Sequence, residues 1–261
     1  MLLHHLYRYT PEADAQDNPA PVVLLHGLFG SAANLGMVAR GLAPHFPVYS
    51  VDLPNHGHSP RLDRMDYPSM AAEVIEFLEQ NALAPAHLLG HSMGGKVAMQ
   101  VALQRPELVN QLIVADIAPV RYPGHHDQIL AGLDAVARIA PQGRREADAV
   151  LSEYVEESGV RAFLLKSWQK DDQDRYNWLL NLDAIRSSYP LLGEANQGEP
   201  YEREVFFIKG SESSYILPEH RDQILTLFPH ATVKVLEGTG HWLHAEKPQL
   251  FNRLVLRFLQ R

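Results

Sequence analysis

The sequence predicts an α/β fold, a mostly parallel central sheet flanked by helices and interrupted once by a helical insertion. Three observations predict it. Short β-branched and leucine-rich runs alternate with helix-like stretches in the first and last parts of the chain. One apolar run, His87-Leu88-Leu89, passes through Gly90-His91-Ser92-Met93-Gly94-Gly95 directly into a helix-like run, Lys96 to Leu103. Finally, no strand-like run appears between about Pro119 and Pro200. Continuous apolar strands alternating with helices imply a parallel sheet covered on both faces. Functional residues then belong at the carboxyl ends of the strands.

The elements follow in order. Val22-Val23-Leu24-Leu25 reads as a buried strand and Val48-Tyr49-Ser50-Val51 as the next. Tyr67 to Leu78 carries apolar residues at helical spacing. The run before Ser92 is a strand and Lys96 to Leu103 a helix, with Leu112-Ile113-Val114-Ala115 as the strand after it. Val205-Phe206-Phe207-Ile208 and Val233-Lys234-Val235-Leu236 complete the strands, with Glu219 to Leu227 and Pro248 to Leu259 as helices. Between them, Asp127 to Ile139, Arg144 to Glu157, Arg161 to Leu165 and Tyr176 to Ser187 read as helical. The expected organisation is a core of residues 1–118 and 200–261 and a helical cap of residues 119–199, inserted after the strand ending near Asp116. Long insertions in compact domains are usually functional.

Composition narrows the class. The chain has 261 residues, 46% of them hydrophobic, which suits one large α/β domain carrying an insertion. It has no cysteine, so neither a disulfide nor a thiolate metal site is available, and a reducing cytoplasm is the expected location. Met1 to Arg8 lacks the basic segment and apolar core of a signal peptide, and no run approaches the roughly 20 apolar residues that span a bilayer. The formal net charge of -8 argues against nucleic acid as a partner. Oligomeric state is not legible.

The turn around Ser92 has the form of a nucleophile elbow: glycines flank the serine because a tight turn leaves no room for side chains. The turn pushes the hydroxyl out of the sheet and places the following N–H groups at a helix start, where they can receive an oxyanion. The expected chemistry is serine hydrolysis. The base candidate is His241, in Gly238-Thr239-Gly240-His241-Trp242 after the last strand-like run. The acid is left open between Asp116, at the end of its strand, and Glu212, in Lys209-Gly210-Ser211-Glu212-Ser213-Ser214-Tyr215, or neither. That second loop is where an acid commonly sits, yet it contains no aspartate. The oxyanion donors are expected to be the N–H groups of Met93 and Leu28, with Phe29 next after Leu28.

Other polar positions read as structural. His26 is expected to be a hydrogen bonder, and Asp52 and Ser59 to knit turns together. His56 and His58 lack a matching ligand cluster, and His125-His126-Asp127 reads as a solvent-facing helix start, so no metal and no organic cofactor is expected. Phe29, Trp168 and Trp242 are candidate substrate-binding residues. Trp168, with Tyr176 and Trp178, has the alternative of forming a small core within the insertion.

The chain resembles α/β-hydrolases of the bacterial YbfF-type esterases, related to a mitochondrial abhydrolase group. The resemblance covers nearly the whole length. It rests on His26-Gly27-Leu28-Phe29-Gly30-Ser31, Asn55-His56-Gly57, Gly90 to Lys96, Asp116-Ile117-Ala118-Pro119-Val120, Phe163-Leu164-Leu165-Lys166-Ser167, Gly240-His241-Trp242 and His244 to Pro248. It implies a Ser92–His241 pair, an acid at Asp116, a helical cap, and hydrolysis of short-chain esters, with acyl-CoA thioesters as a further class. Arg121, Lys166 and Lys170 are the cations available to a coenzyme A moiety. Carbon–carbon bond hydrolysis and non-catalytic ligand binding are the competing expectations.

Overall fold

Every residue of Val22–Leu25 is buried, as a strand covered on both faces must be. In the computed structural model, which describes residues 2–11 and 19–261, its side chains alternate between two core layers. Val23 and Leu25 pack into one apolar cluster, while Val22 and Leu24 pack into the other. This is the two-residue period of a strand expressed in packing.

The strands in chain order are β1 (His5–Arg8), β2 (Val22–Leu25), β3 (Val48–Val51), β4 (Ala86–His91), β5 (Val109–Ala115), β6 (Trp168–Lys170), β7 (Tyr176–Trp178), β8 (Val205–Gly210) and β9 (Ala231–Leu236). Seven form one sheet in the order β1-β3-β2-β4-β5-β8-β9. All neighbours in it are parallel except β1, which pairs antiparallel with β3 at the edge.

The helices are α1 (Gly36–Leu42), α2 (Tyr67–Gln80), α3 (Met93–Gln104), α4 (Asp127–Ile139), α5 (Arg144–Leu151), α6 (Ser158–Leu164), α7 (Leu182–Leu192), α8 (Arg221–Leu227), α9 (Leu243–Glu246) and α10 (Pro248–Leu259). Phe77 of α2 and Val97 of α3 share the first cluster with Leu88 and Val114. Val38 of α1 and Phe251 and Val255 of α10 share the second with Leu89 and Ile113. Helix α3 has every residue but Gln104 buried.

The chain leaves the sheet after β5 and returns at β8, and α4 to α7 lie between. This segment differs from the expectation in two respects, the first being that Arg144 to Glu157 is helical only as far as Leu151. Tyr176 to Ser187 is not one helix: Tyr176–Trp178 is a strand paired antiparallel with Trp168–Lys170, and α7 begins only at Leu182. Three residues per strand is too short a run for periodicity to register. Trp168 and Trp178 face each other in that hairpin, ring centroids 4.9 Å apart. Strand β1 and helix α1 also escaped the sequence reading. β1 is an edge strand with a mixed His-Leu-Tyr-Arg pattern, and α1 is only seven residues long.

Candidate active site

The strand–turn–helix of β4 and α3 is built by close backbone approach. A Cβ on Gly90 would meet the Gly94 carbonyl oxygen at 2.1 Å, and one on Gly94 would meet the Leu25 carbonyl oxygen at 2.3 Å. Only glycine fits either place. The turn forces Ser92 to φ 54° and ψ -123°, a strained conformation for a residue with a side chain. Its N–H is held by the Ala115 carbonyl, and its own carbonyl accepts from Gly95 and Lys96 in the first turn of α3.

The structure brings Ser92, His241 and Asp116 together. Ser92 Oγ lies 2.9 Å from His241 Nε2, and His241 Nδ1 lies 2.8 Å from Asp116 Oδ2. In this arrangement Ser92 donates to Nε2, and Nδ1–H donates to the carboxylate. Asp116 is fully buried at the end of β5, also with a positive φ of 54°. Its other oxygen accepts from the Gly210 N–H at 3.0 Å. Glu212 is exposed on the surface, and its backbone N–H donates to the Thr239 carbonyl.

The loop without an aspartate contributes differently. The Ser213 hydroxyl donates to Asp116 Oδ2, and Tyr215 lays its ring on His241, centroids 3.9 Å apart and 20° from parallel. Ser213 was visible in the sequence as a serine where an acid was sought; nothing there marked Tyr215. On the opposite side His91, inside the elbow motif, donates from Nε2 to the His241 carbonyl at 2.8 Å. Burial pushes His91 well below the usual histidine range, with His244 and His241 adding to that, and His244 is likewise pushed down to about 3. Both are therefore neutral at pH 7.

Met93 opens α3, where an N–H has no partner inside the helix. Leu28 N–H has no hydrogen-bond partner among the described residues. Phe29 is excluded as a donor, because its N–H is committed to His56 Nε2 at 3.2 Å. His56 is pushed down to about 3, first by burial and then by neighbouring His26, which keeps Nε2 an acceptor. His26 accepts from Leu53 N–H at 3.0 Å. Asp52 accepts from the N–H groups of Ala32 and His58, and Ser59 donates to the Asp52 carbonyl. These residues brace the loops around Leu28.

A cavity of about 670 Å³ opens beside Ser92. Leu28 and Met93 line it from the core side, Tyr122, His126 and Tyr189 from the segment between β5 and β8, and Tyr215 from the loop after β8. The three aromatic candidates do not line it. Phe29 is buried beneath it with its ring edge toward His126. Trp168 is buried between Trp178 and Tyr176. Trp242 turns toward Phe163. His125 and Asp127 are exposed, as a solvent-facing helix start requires, while His126 is half-buried; all three border the cavity, and the Tyr189 hydroxyl accepts from the His125 and His126 N–H groups and lies 2.6 Å from His126 Nδ1. No group of three or more metal-ligating side chains converges among the described residues.

Residues 22–254 match the model of the alpha/beta hydrolase family. The chain belongs to the alpha/beta hydrolase family. Within that family it is 38% identical over 248 residues to Esterase YbfF of Escherichia coli, covering 95% of this chain and 96% of that one. It is 40% identical over 247 residues to the mouse sn-1-specific diacylglycerol lipase ABHD11, covering 91% and 80%. A solved structure of a marine microorganism esterase superposes with a TM-score of 0.92 at 34% identity, covering 98% and 99%. No helix among the described residues is long and apolar enough to cross a membrane.

Proposed function

We propose that this ester hydrolase cleaves short-chain carboxylic esters through an acyl-enzyme on Ser92, with residues 119–199 acting as a cap over the site. The observation that carries the reading is the continuous relay from Ser92 Oγ through His241 to the buried Asp116 carboxylate, at 2.9 and 2.8 Å, opening on a cavity. His241 takes the Ser92 proton as Oγ attacks the ester carbonyl. The N–H groups of Met93 and Leu28 stabilise the oxyanion, each worth about 3 kcal/mol. His241 then gives the proton to the departing alcohol as its C–O bond breaks. Water, deprotonated by His241, attacks the acyl carbonyl, and Ser92 recovers its proton as the acid leaves. Asp116 holds Nδ1–H of the imidazole toward itself and stabilises the imidazolium.

The cavity combines apolar side chains, Leu28, Met93, Ile117 and Leu192, with Tyr122, Tyr189 and His126, a lining that accommodates an acyl group; the short-chain preference rests on the resemblance to the YbfF-type esterases. Acyl-CoA thioesters belong to the same proposal, with Arg121 the exposed cation at the cavity. A cytoplasmic location fits the lack of cysteine.

The test is steady-state hydrolysis of p-nitrophenyl esters from acetate to palmitate, with Ser92→Ala as control. Turnover greatest at short chains, and lost in a folded Ser92→Ala, supports the proposal. A long-chain optimum rejects the substrate class, and retained turnover in Ser92→Ala rejects the nucleophile.

A further inference from the structure

Lys96 lies four residues after Ser92, in the first turn of α3, and both border the cavity. Its side chain is almost completely buried, at 1% exposure. A buried ammonium needs specific partners. Nζ donates to the Val120 carbonyl at 2.6 Å and to the Glu194 carbonyl. It also sits over the Tyr67 and Tyr122 rings, 5.0 and 5.1 Å from their centroids.

The two carbonyls have particular places. Val120 stands where the chain leaves the sheet for the insertion, and Glu194 where it comes back after α7. One side chain thus binds both connections. The connections are also tied to each other: Tyr122 N–H donates to the Gly193 carbonyl at 2.8 Å, and Asn196 N–H to the Pro119 carbonyl at 3.2 Å. One turn further along α3, Gln100 donates to the Gln197 carbonyl and accepts from Asn196. From Tyr122 the contacts run on to the site, since its hydroxyl donates to the Tyr215 carbonyl and Tyr215 stacks on His241.

We propose that Lys96 is a positioning residue that fastens both connections of the 119–199 segment to the nucleophile's helix and so sets the shape of the cavity over Ser92. This rests on the ester-hydrolase reading of that site and adds to it a residue that touches none of the reacting groups. An apolar side chain would fill the space equally well, but it would leave two buried carbonyls unpaired. Burial pushes the ammonium down to about 7, against the opposing Glu194 carboxylate. Packing alone does not account for an amine aimed at two carbonyls and two aromatic rings.

The test compares wild type, Lys96→Met and Lys96→Arg by amide hydrogen exchange and by p-nitrophenyl ester kinetics. In folded Lys96→Met the Tyr122 and Asn196 amides are expected to exchange at least tenfold faster. KM is expected to rise at least tenfold while kcat falls less than threefold, and Lys96→Arg, which keeps charge and donors, to lie between. Unchanged exchange at both amides overturns the proposal, whatever the kinetics show. A collapse of kcat at unchanged KM also overturns it, because that would place Lys96 among the reacting groups. If Lys96→Met does not fold, Lys96→Gln, which keeps one donor, carries the same comparison. Exchange requires no turnover, so an enzyme inert on every ester would reject the hydrolase reading and leave this inference to its own test.

Discussion

The Ser213 hydroxyl donates to Oδ2 of Asp116, the same oxygen that faces His241 Nδ1. A carboxylate oxygen bridging two donors has its direction fixed, and with it the plane of the imidazole. Ser213→Ala is expected to lower kcat about tenfold, the worth of a hydrogen bond to a charged group, with KM little changed. Equal kcat in wild type and Ser213→Ala would mean that Gly210 N–H alone orients Asp116.

The buried carboxylate and the exposed one separate cleanly. Asp116→Asn is expected to lower kcat by about 10³-fold or more, since a neutral amide no longer selects the Nδ1–H tautomer. Glu212→Gln is expected to leave kcat and KM as they are. The outcome that contradicts the relay is an active Asp116→Asn beside a crippled Glu212→Gln.

Two glycine substitutions should move stability in opposite directions. Gly94→Ala would drive a Cβ into the Leu25 and His26 carbonyls at 2.3 and 2.5 Å, and it is expected to abolish folding or turnover. Gly36→Ala, at the start of α1 with nothing within 4 Å, is expected to stabilise by about 0.4–1 kcal/mol. Urea denaturation of both variants measures this, and a stable, active Gly94→Ala would refute the close approach.

Acid should unfold the protein through its histidines. Burial holds His56 and His244 down at about 3, and His87 and His126 at about 4. An unfolded histidine titrates at about 6.5. Below that pH the unfolded chain takes up protons that the folded one refuses, so stability falls as pH drops from about 7 toward 4. Each such histidine contributes a slope of up to about 1.4 kcal/mol per pH unit. Equilibrium unfolding between pH 7.5 and 5 is expected to show a slope steeper than one proton. His87→Leu, far from the site beside Phe46, should lessen it. A flat profile over that range would contradict the buried neutral rings.

Much of the sheet was legible because parallel strands buried on both faces leave uninterrupted apolar runs, as in Val22-Val23-Leu24-Leu25 and Val205-Phe206-Phe207-Ile208. Ser92 and His241 were legible because glycines mark sharp turns at strand ends. The elements missed are those too short or too mixed for a pattern to register: β1 at the edge, the seven-residue α1, and the three-residue strands β6 and β7. The cavity wall was missed for another reason. Packing claims the large rings Phe29 and Trp168, the latter in the small core of the insertion that is its alternative reading, and Trp242 lies against Phe163. The tyrosines that face the cavity do so because their hydroxyls find partners across distant segments: Tyr189 at His125 and His126, Tyr122 at Ala118 and Tyr215. No local pattern encodes such pairings.

Helix α3, buried at every position but one, has a consequence for remodelling the enzyme. A library of substitutions spread over residues 93–103 would mostly return misfolded chains, because every position there is buried and Gly94 and Gly95 leave no room for a Cβ. Variation aimed at new substrates has more room at the exposed part of the cavity wall, at Arg121, Pro123 and Asp127, away from Ser213 and Tyr215, which touch Asp116 and His241. Those positions can drift while the relay stands still.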